Sequence, residues 1–505
     1  MDVEEIIEKE LNRLLEPVAK AEGASVEELK KKLAEGDPFE YGFDWFFKGL
    51  LGQNVIQVFR IAALARGEMP REGVTVIGGK MSDTFKALRQ DEHIIVKEIA
   101  YRSSTEDIYP LYAEIAYDRQ QRNMPITVIQ HGGYPGSRFG MVPNCYRMAK
   151  KGLFAIAVSK RGRDGSAGVG DSWCKEIFDI IDAVEYVKKE YAEYVDPTNV
   201  NIWGYSGGSY DSISAAVRFP DYFRSISCFF SQLQWNRDFS GEMGENKRKI
   251  FKMMNYDDWV VYNEAFQEQF HDKYRGRPDS NVLQGYLIMR GIGGWPEQVP
   301  DNYMARNNLL AVVNNPYSKI HLFLDESDMS CQWDFDEYYK RSRELGYTNV
   351  ELHRTKRGDK FRYHHAHPGS YSELGNPDLL EAERFFIPYI LSGNYPEPIL
   401  ADRGKLIVLG YIKTKRFFIW LGNGTDAVAE LDYELHPLES IFRFKRLSQN
   451  KKAKGRLIYP NEEEYPLSVW INNKQVAPQN TEKKITVEFD LNCRINIRRE
   501  LPTEK

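Results

Sequence analysis

The stretch NIWGYSGGS at residues 201–209 decides how the rest of the chain is interpreted. It places Ser206 between Gly204 and Gly208 with the spacing G-x-S-x-G. A nucleophile raised on a tight strand-to-helix turn needs neighbours without a Cβ atom, so that the backbone folds beneath it and a substrate can approach. Short glycine-serine patterns also occur in ordinary loops, so the surrounding sequence has to distinguish an elbow from a loop.

The surrounding sequence alternates between apolar strand-like runs and helical segments. Strands are predicted at residues 94–101, 109–117, 126–130, 153–158, 200–204, 225–230, 320–324 and 350–353, and helices at 179–191, 209–218 and 379–391. The first two strands predict an antiparallel start. The alternation that follows is typical of a doubly wound, mostly parallel sheet with helices on both faces, which is the α/β class.

Changes in the residue pattern along the chain predict three domains. Residues 1–90 read as a helical segment that includes a capping box at Ser25–Glu28, and residues 91–395 as the α/β domain. Within that domain, residues 232–312 are too long for a plain connection and predict an inserted cap. Residues 396–505 consist of short alternating segments between turn residues, which predicts a C-terminal β-sandwich.

Composition excludes several classes of function. The chain has 505 residues, with 68 basic and 73 acidic side chains and a net charge of −5, which argues against a partner that is a nucleic acid or a membrane surface. Its five cysteines are scattered without C-x-x-C spacing, and the acidic first residues do not resemble a secretion signal. A cytoplasmic protein is expected. A homo-oligomer is compatible with the sequence.

A serine nucleophile requires a base, and the base requires a carboxylate to orient it. In sheets of this type the acid and the base follow the serine in that order, each in a loop after a strand. The loop after residues 320–324 offers Asp328 as first candidate for the acid and Asp325 as second. The run His364-His365-Ala366-His367 offers His367 or His365 as the base.

A third requirement is a set of N–H donors for the oxyanion. The glycine-rich run that follows residues 126–130 predicts donors at Gly133 and Tyr134, and Gly207, directly after the nucleophile, predicts another. The histidine run lacks a carboxylate or cysteine at metal-ligand spacing. No metal site and no cofactor are therefore predicted.

Together these motifs resemble the α/β-hydrolases of the prolyl oligopeptidase and acetyl xylan esterase kind, over roughly residues 94–392. The resemblance is carried, in order, by His131-Gly132-Gly133, Arg161-Gly162 with Gly165, Gly168 and Gly170, a helix with Asp179 and Asp182, residues 195–200, and Gly204–Gly208. It implies an α/β-hydrolase fold and a Ser-His-Asp triad. The family's acid lies three residues after a glycine; placing Asp325 at that glycine implies Asp328 as the acid.

The resemblance implies a serine hydrolase. Peptidases of this family carry an N-terminal β-propeller, whereas this chain has a helical segment there, so a carboxylesterase acting on small-molecule substrates is the favoured expectation. A hydrolase of small peptides or amides is the alternative, with the cap aromatics Trp235, Trp259, Tyr262, Tyr286 and Trp295 gating its substrates. An inactive fold that serves as a binding protein is a third hypothesis.

Overall fold

The computed structural model describes residues 3–36, 38–48, 50–51, 61, 64–65, 87–133, 138–253, 285, 288–328, 332–364, 377–461, 466–481 and 483–499. An eight-stranded sheet occupies the centre of the chain, in the order β1-β2-β4-β3-β5-β6-β7-β8. Its strands are β1 (Ile94–Tyr101), β2 (Leu111–Asp118), β3 (Met124–Gln130), β4 (Phe154–Ser159), β5 (Val195–Tyr205), β6 (Ser225–Phe229), β7 (Lys319–Asp325) and β8 (Val350–Thr355).

The pairing in this sheet follows the predicted pattern. β2 is antiparallel to both β1 and β4, and the remaining neighbours are parallel. Every residue of β4 and of β6 is buried, as expected for parallel strands that are covered on both faces. The predicted α/β-hydrolase class is therefore confirmed.

The helices that accompany the strands were predicted less completely. They are α1 (Val3–Glu22), α2 (Val26–Glu35), α3 (Pro38–Phe47), α4 (Val142–Lys150), α5 (Ile177–Glu190), α6 (Gly207–Arg218), α7 (Asn236–Phe239), α8 (Gly241–Met253), α9 (Pro300–Met304), α10 (Gln332–Glu344), α11 (Pro377–Glu383) and α12 (Ile387–Ser392). α4 and α10 had not been predicted. The single closing helix predicted at 379–391 is wrong, because α11 ends at Glu383 and α12 starts after a break, with Pro388 in its first turn.

Local capping chemistry explains the start of α2. The Ser25 hydroxyl accepts a hydrogen bond from the Glu28 backbone N–H at 3.2 Å, and the Glu28 carboxylate accepts one from the Ser25 N–H at 2.7 Å. This reciprocal pair is the predicted capping box. Among the described residues, no helix is long and apolar enough to cross a lipid bilayer.

The C-terminal residues form one antiparallel ladder that folds over a second apolar core. Its eleven strands run in the order β16-β15-β19-β13-β12-β9-β10-β11-β14-β18-β17. They are β9 (Arg403–Leu409), β10 (Tyr411–Lys413), β11 (Phe418–Leu421), β12 (Val428–Leu435), β13 (Glu439–Arg446), β14 (Lys454–Pro460), β15 (Leu467–Ile471), β16 (Lys474–Val476), β17 (Gln479–Thr481), β18 (Lys484–Asp490) and β19 (Asn492–Arg499). The rings of Phe444 and Phe489 lie 4.2 Å apart although β13 and β18 are not neighbours, which gives the sandwich-like arrangement.

Buried polar contacts attach this ladder to the α/β domain. The Asn314 side-chain amide donates to the Ile407 carbonyl and accepts from the Ile407 N–H, each at 2.8 Å. The hydroxyl of Tyr411 donates to the carbonyl of Cys174 at 2.7 Å, and its ring lies 4.4 Å from that of Phe178. These paired contacts fix the ladder against the helices next to the central sheet.

Candidate active site

Ser206 occupies the turn between β5 and α6, as the spacing predicted. Its backbone angles are φ 54° and ψ −123°. A side chain with a Cβ rarely adopts a positive φ, and such strain persists only where the surroundings hold it. The Ser206 N–H donates to the carbonyl of Phe229 at 2.9 Å, and the Ser206 carbonyl accepts from the N–H groups of Ser209 and Tyr210 at 2.9 and 3.2 Å. These contacts hold the serine in its strained conformation.

Gly204 and Gly208, on either side of the turn, must lack a Cβ because other backbone atoms approach them closely. A Cβ atom on Gly208 would lie 2.2 Å from the carbonyl oxygen of Gln130 in β3, and one on Gly204 would lie 2.5 Å from the carbonyl carbon of Gly208. Both distances are below any tolerated contact between heavy atoms, and the obstructing atoms are backbone. The G-x-S-x-G spacing therefore follows from how tightly the elbow sits on the sheet.

Ser209 is a part of the elbow that the sequence analysis did not identify. Its fully buried hydroxyl accepts a hydrogen bond from the N–H of Phe229 at 2.6 Å and contacts the carbonyl of Gly204. It thus ties the end of β6 to the end of β5. The G-x-S-x-G spacing selects Ser206 and assigns no role to Ser209, so the local sequence does not predict this contact.

The glycine loop after β3 lies directly against the elbow. A methyl group built on Gly132 would come within 3.2 Å of the Ser206 Cβ, and one built on Gly207 would come within 3.2 Å of the Gly133 nitrogen. Gly207 is the first residue of α6, and the first N–H groups of a helix have no intrahelical acceptor. Gly133, Gly207 and Ser206 are therefore brought together. Tyr134 lies outside the described residues.

His131 is the first residue of this loop after β3, and its side chain is buried. Burial lowers the pKa of His131 well below its usual range, and the positive charges of Lys160 and Arg163 lower it further. Its Nδ1 lies 3.2 Å from the carbonyl oxygen of Gly132. A neutral imidazole hydrogen-bonded to the loop backbone supports the loop and does not compete for the role of general base.

A buried ion pair anchors α6, the helix that follows the elbow. The ammonium group of Lys160 donates to both carboxylate oxygens of Asp211, at 2.9 and 2.7 Å, and all but a small fraction of both side chains is buried. Burial raises the pKa of Asp211 to about 6, although Lys160 opposes the increase. Asp211 lies on α6, five residues after Ser206, and Lys160 directly follows β4. The pair therefore connects the elbow helix with a strand that is not adjacent to β5.

The Arg161 and Asp179 positions that carried part of the resemblance form a second buried pair. The guanidinium Nη2 of Arg161 donates to Asp179 Oδ1 at 2.7 Å, and the Arg161 backbone N–H donates to Oδ2 at 2.8 Å. Neither side chain is more than 1% exposed. The pair joins the loop after β4 to α5, which is a role in the scaffold of the site.

The hydrogen bonds around the loop after β7 distinguish the two candidates for the acid, Asp325 and Asp328. Asp325 is the last residue of β7 and is fully buried. Its Oδ2 accepts from Arg362 Nε at 2.8 Å and from the Thr355 hydroxyl at 3.0 Å, while its Oδ1 accepts from Arg362 Nη2 at 2.8 Å and from the N–H of Ser327 at 3.0 Å. Burial alone would raise the pKa of Asp325, but these hydrogen bonds outweigh it and hold the pKa well below its usual range.

These contacts occupy the lone pairs of Asp325. A carboxylate has about four lone-pair sites, and Asp325 also accepts from the Ser327 hydroxyl at 2.6 Å. Asp325 therefore has no lone pair left to orient an imidazole. Asp328 lies three residues further on, is 4% exposed, and donates its backbone N–H to the Asp325 carbonyl at 3.0 Å.

The segment that leads to the histidine run is held against the acid loop. Arg362 binds Asp325 as described, and the N–H of Tyr363 donates to the Thr355 hydroxyl at 3.0 Å. The ring of Tyr363 packs edge-on against Phe323 in β7, with 5.1 Å between centroids. His364 is described and half-buried, whereas His365 and His367 lie outside the described residues.

Two of the aromatic residues expected in the cap are described, and both pack within the protein. Trp235 stacks on Trp173 with 4.9 Å between ring centroids, and Trp295 packs edge-on against Phe239 at 6.1 Å. Trp259, Tyr262 and Tyr286 lie outside the described residues. Trp235 and Trp295 thus contribute packing between β6 and β7.

A mostly parallel sheet with a strained serine at the strand-to-helix turn, backed by a glycine loop, defines the α/β-hydrolase class. Residues 143–290 match the model of the prolyl oligopeptidase family. The match lies within the α/β domain and confirms the resemblance seen in the sequence. No curated protein sequence matches the chain.

Solved structures with similar folds include both peptidases and esterases. A putative dipeptidyl aminopeptidase IV of Bacteroides ovatus is 15% identical, with a TM-score of 0.39, and the match covers 60% of this chain but only 36% of that one. An acylaminoacyl peptidase of Pyrococcus horikoshii is 15% identical, with a TM-score of 0.41 and coverage of 63% and 44%. A hyperthermophilic esterase of Pyrobaculum calidifontis is 14% identical, with a TM-score of 0.41 and coverage of 62% and 88%.

Proposed function

We propose that this chain hydrolyses carboxylic esters of small molecules through a Ser206 acyl-enzyme. The observation that carries the proposal is the strained Ser206 at φ 54°, with the glycine loop in contact with it. Strain of this kind is stored at sites where the side chain must be presented to a substrate. Asp328 is the proposed acid, because Asp325 is saturated by Arg362, Ser327 and Thr355.

The proposed reaction has two steps. The Ser206 hydroxyl attacks the acyl carbonyl while His367 or His365 takes its proton, and Asp328 orients the imidazole. The N–H groups of Gly207 and of the Gly133–Tyr134 turn stabilise the oxyanion. The histidine returns the proton to the leaving alcohol, and the acyl group stays on Ser206. Water, activated by the same histidine, then releases the acid and restores the serine.

Replacing the nucleophile tests this mechanism. Ser206→Ala should abolish hydrolysis of p-nitrophenyl acetate, leaving at most the residual rate that oxyanion stabilisation and binding supply. Ser392→Ala is the matched control, since Ser392 is an exposed serine at the end of α12. Unchanged turnover by Ser206→Ala would refute the mechanism. Labelling of Ser206 by a fluorophosphonate probe would exclude the binding-protein hypothesis.

A second candidate function is the hydrolysis of small peptides or amides, favoured by the match of residues 143–290 to a family named for an oligopeptidase. Esters remain the first proposal, as favoured in the sequence analysis, and small peptides or amides are the alternative. Parallel assays on aryl esters and aminoacyl anilides separate the two. Amide turnover above ester turnover would overturn the proposed preference.

A cytoplasmic location is part of the proposal. Cys145, Cys174, Cys228 and Cys493, the cysteines within the described residues, are all buried, and none of them is in a disulfide. Free buried thiols fit a reducing compartment. A thiol titration of the denatured, unreduced protein should count all five cysteines of the sequence. A lower count would contradict the proposed location.

A further inference from the structure

Three side chains of the types that bind metals meet on β7 and β8, which lie on the other side of β6 from the strand that leads to Ser206. In the β7–β8 ladder, His321 lies opposite Glu351, and His353 follows Glu351 by two residues. Residues two apart on a strand point to the same face of the sheet. The register thus brings two imidazoles and one carboxylate to one place from separate parts of the chain.

The donor atoms of these side chains are spaced as zinc ligands are. His321 Nδ1 lies 3.0 Å from His353 Nε2, and Glu351 Oε2 lies 3.4 Å from the former and 3.6 Å from the latter. Ligand atoms about 2.0–2.2 Å from a tetrahedral zinc ion are about 3.3–3.6 Å apart. One face of such a tetrahedron is already present, needing an adjustment of only a few tenths of an ångström.

Outer contacts orient the ligands. The hydroxyl of Tyr395 donates to the carbonyl of Phe385 at 3.4 Å, so it accepts from His321 Nε2, which lies 2.9 Å away. A proton on Nε2 leaves the lone pair of Nδ1 directed at His353. Metal-bound histidines are held by such partners on their second nitrogen. The ammonium of Lys319 pairs with Glu351 Oε1, while Oε2 faces the two imidazoles.

The position also admits a fourth ligand. The side chain of His321 is 2% exposed and that of His353 14%, whereas that of Glu351 is 46% exposed, so solvent reaches the cluster at its carboxylate. A His₂Glu set with water in the fourth position is an established zinc coordination.

We propose that His321, Glu351 and His353 form a zinc-binding site that joins β7 to β8. To bind the ion, His353 moves its proton from Nε2 to Nδ1, so that both imidazoles present a lone pair and no net proton is lost. β7 ends at Asp325, and β8 leads to Arg362, the two halves of the pair that holds the acid loop. Zinc therefore stabilises the part of the sheet that supports Asp328.

Direct titration of the metal tests the site. Full-length, tag-free protein, stripped with a chelator, should bind one equivalent of Zn²⁺ by isothermal titration calorimetry. Co²⁺ in the same site should show the visible absorption of a tetrahedral complex. His353→Gln should weaken zinc binding by more than about 100-fold, and Tyr395→Phe by roughly 10–100-fold, because it removes only the partner that orients His321. His436→Gln, an exposed histidine of the C-terminal ladder, should leave binding unchanged.

A second variant distinguishes a loss of zinc binding from a loss of folding. Glu351 is half-exposed, so Glu351→Gln should retain the circular dichroism spectrum of the parent. Zinc should raise the thermal unfolding midpoint of the parent chain and not that of Glu351→Gln. The proposal is overturned if the parent binds much less than one equivalent of zinc, or if His353→Gln and Glu351→Gln bind it as tightly as the parent. Neither result bears on Ser206, whose labelling tests the hydrolase separately.

Discussion

Substituting the two aspartates of the acid loop separates a catalytic carboxylate from a structural one. Asp328→Asn keeps the size of the side chain and removes the charge that the mechanism requires beside the imidazole. The loss of that charge, with the wrong histidine tautomer, costs about 10⁴-fold in kcat in serine hydrolases. We expect a decrease of that order for Asp328→Asn, with little change in the free energy of unfolding.

Asp325→Asn should have the opposite profile. It removes the charge that faces Arg362 and points an amide N–H₂ at a donor, and the arginine side chain is only 19% exposed. Removing one partner of a buried ion pair costs about 3–5 kcal/mol, because the other charge is left uncompensated. We therefore expect a loss of stability of that size, with a smaller decrease in kcat for the molecules that remain folded.

The two variants are compared by aryl-ester hydrolysis and by urea unfolding followed by fluorescence. Arg362→Gln is the matched variant for the other half of the pair and should reproduce the stability loss of Asp325→Asn. The reasoning is refuted if Asp325→Asn loses about 10⁴-fold in kcat at unchanged stability, or if Asp328→Asn turns over as the parent does.

Two further substitutions test the scaffold. Gly208→Ala should lower kcat by roughly 100-fold, because its Cβ would lie 2.2 Å from the Gln130 carbonyl and must displace the glycine loop; Gly140→Ala, whose Cβ meets nothing within 4 Å, should leave kcat unchanged. Burial raises the pKa of Asp221 to about 6, although the Lys415 N–H opposes the increase. The native state then holds its proton more tightly than the unfolded state, so stability falls as pH rises. Between about pH 4.5 and pH 8 the parent should lose about 2 kcal/mol that Asp221→Asn retains in urea unfolding; parallel stability curves would contradict this.

Local patterns account for most of the fold that the sequence predicted. A buried strand such as β4 is a nearly continuous apolar run, and the elbow has its own spacing, so the sequence predicts their positions to within a few residues. The sequence does not predict α10, whose residues are highly charged. The single closing helix predicted at 379–391 overlooks a local signal, because Pro388 marks the start of a new helix.

The candidate site likewise has features that local motifs predict and features that depend on contacts between distant residues. The sequence alone determined where the turn at Ser206, its flanking glycines and the glycine loop at Gly133 lie, since each is a contiguous motif whose geometry depends on neighbours in the chain. Only the tertiary structure decided that Asp325 is occupied by Arg362, 37 residues away, and that His321 meets His353 across two strands. Those contacts depend on strand register and on the paths of loops, which pair residues far apart in the sequence and leave no local pattern.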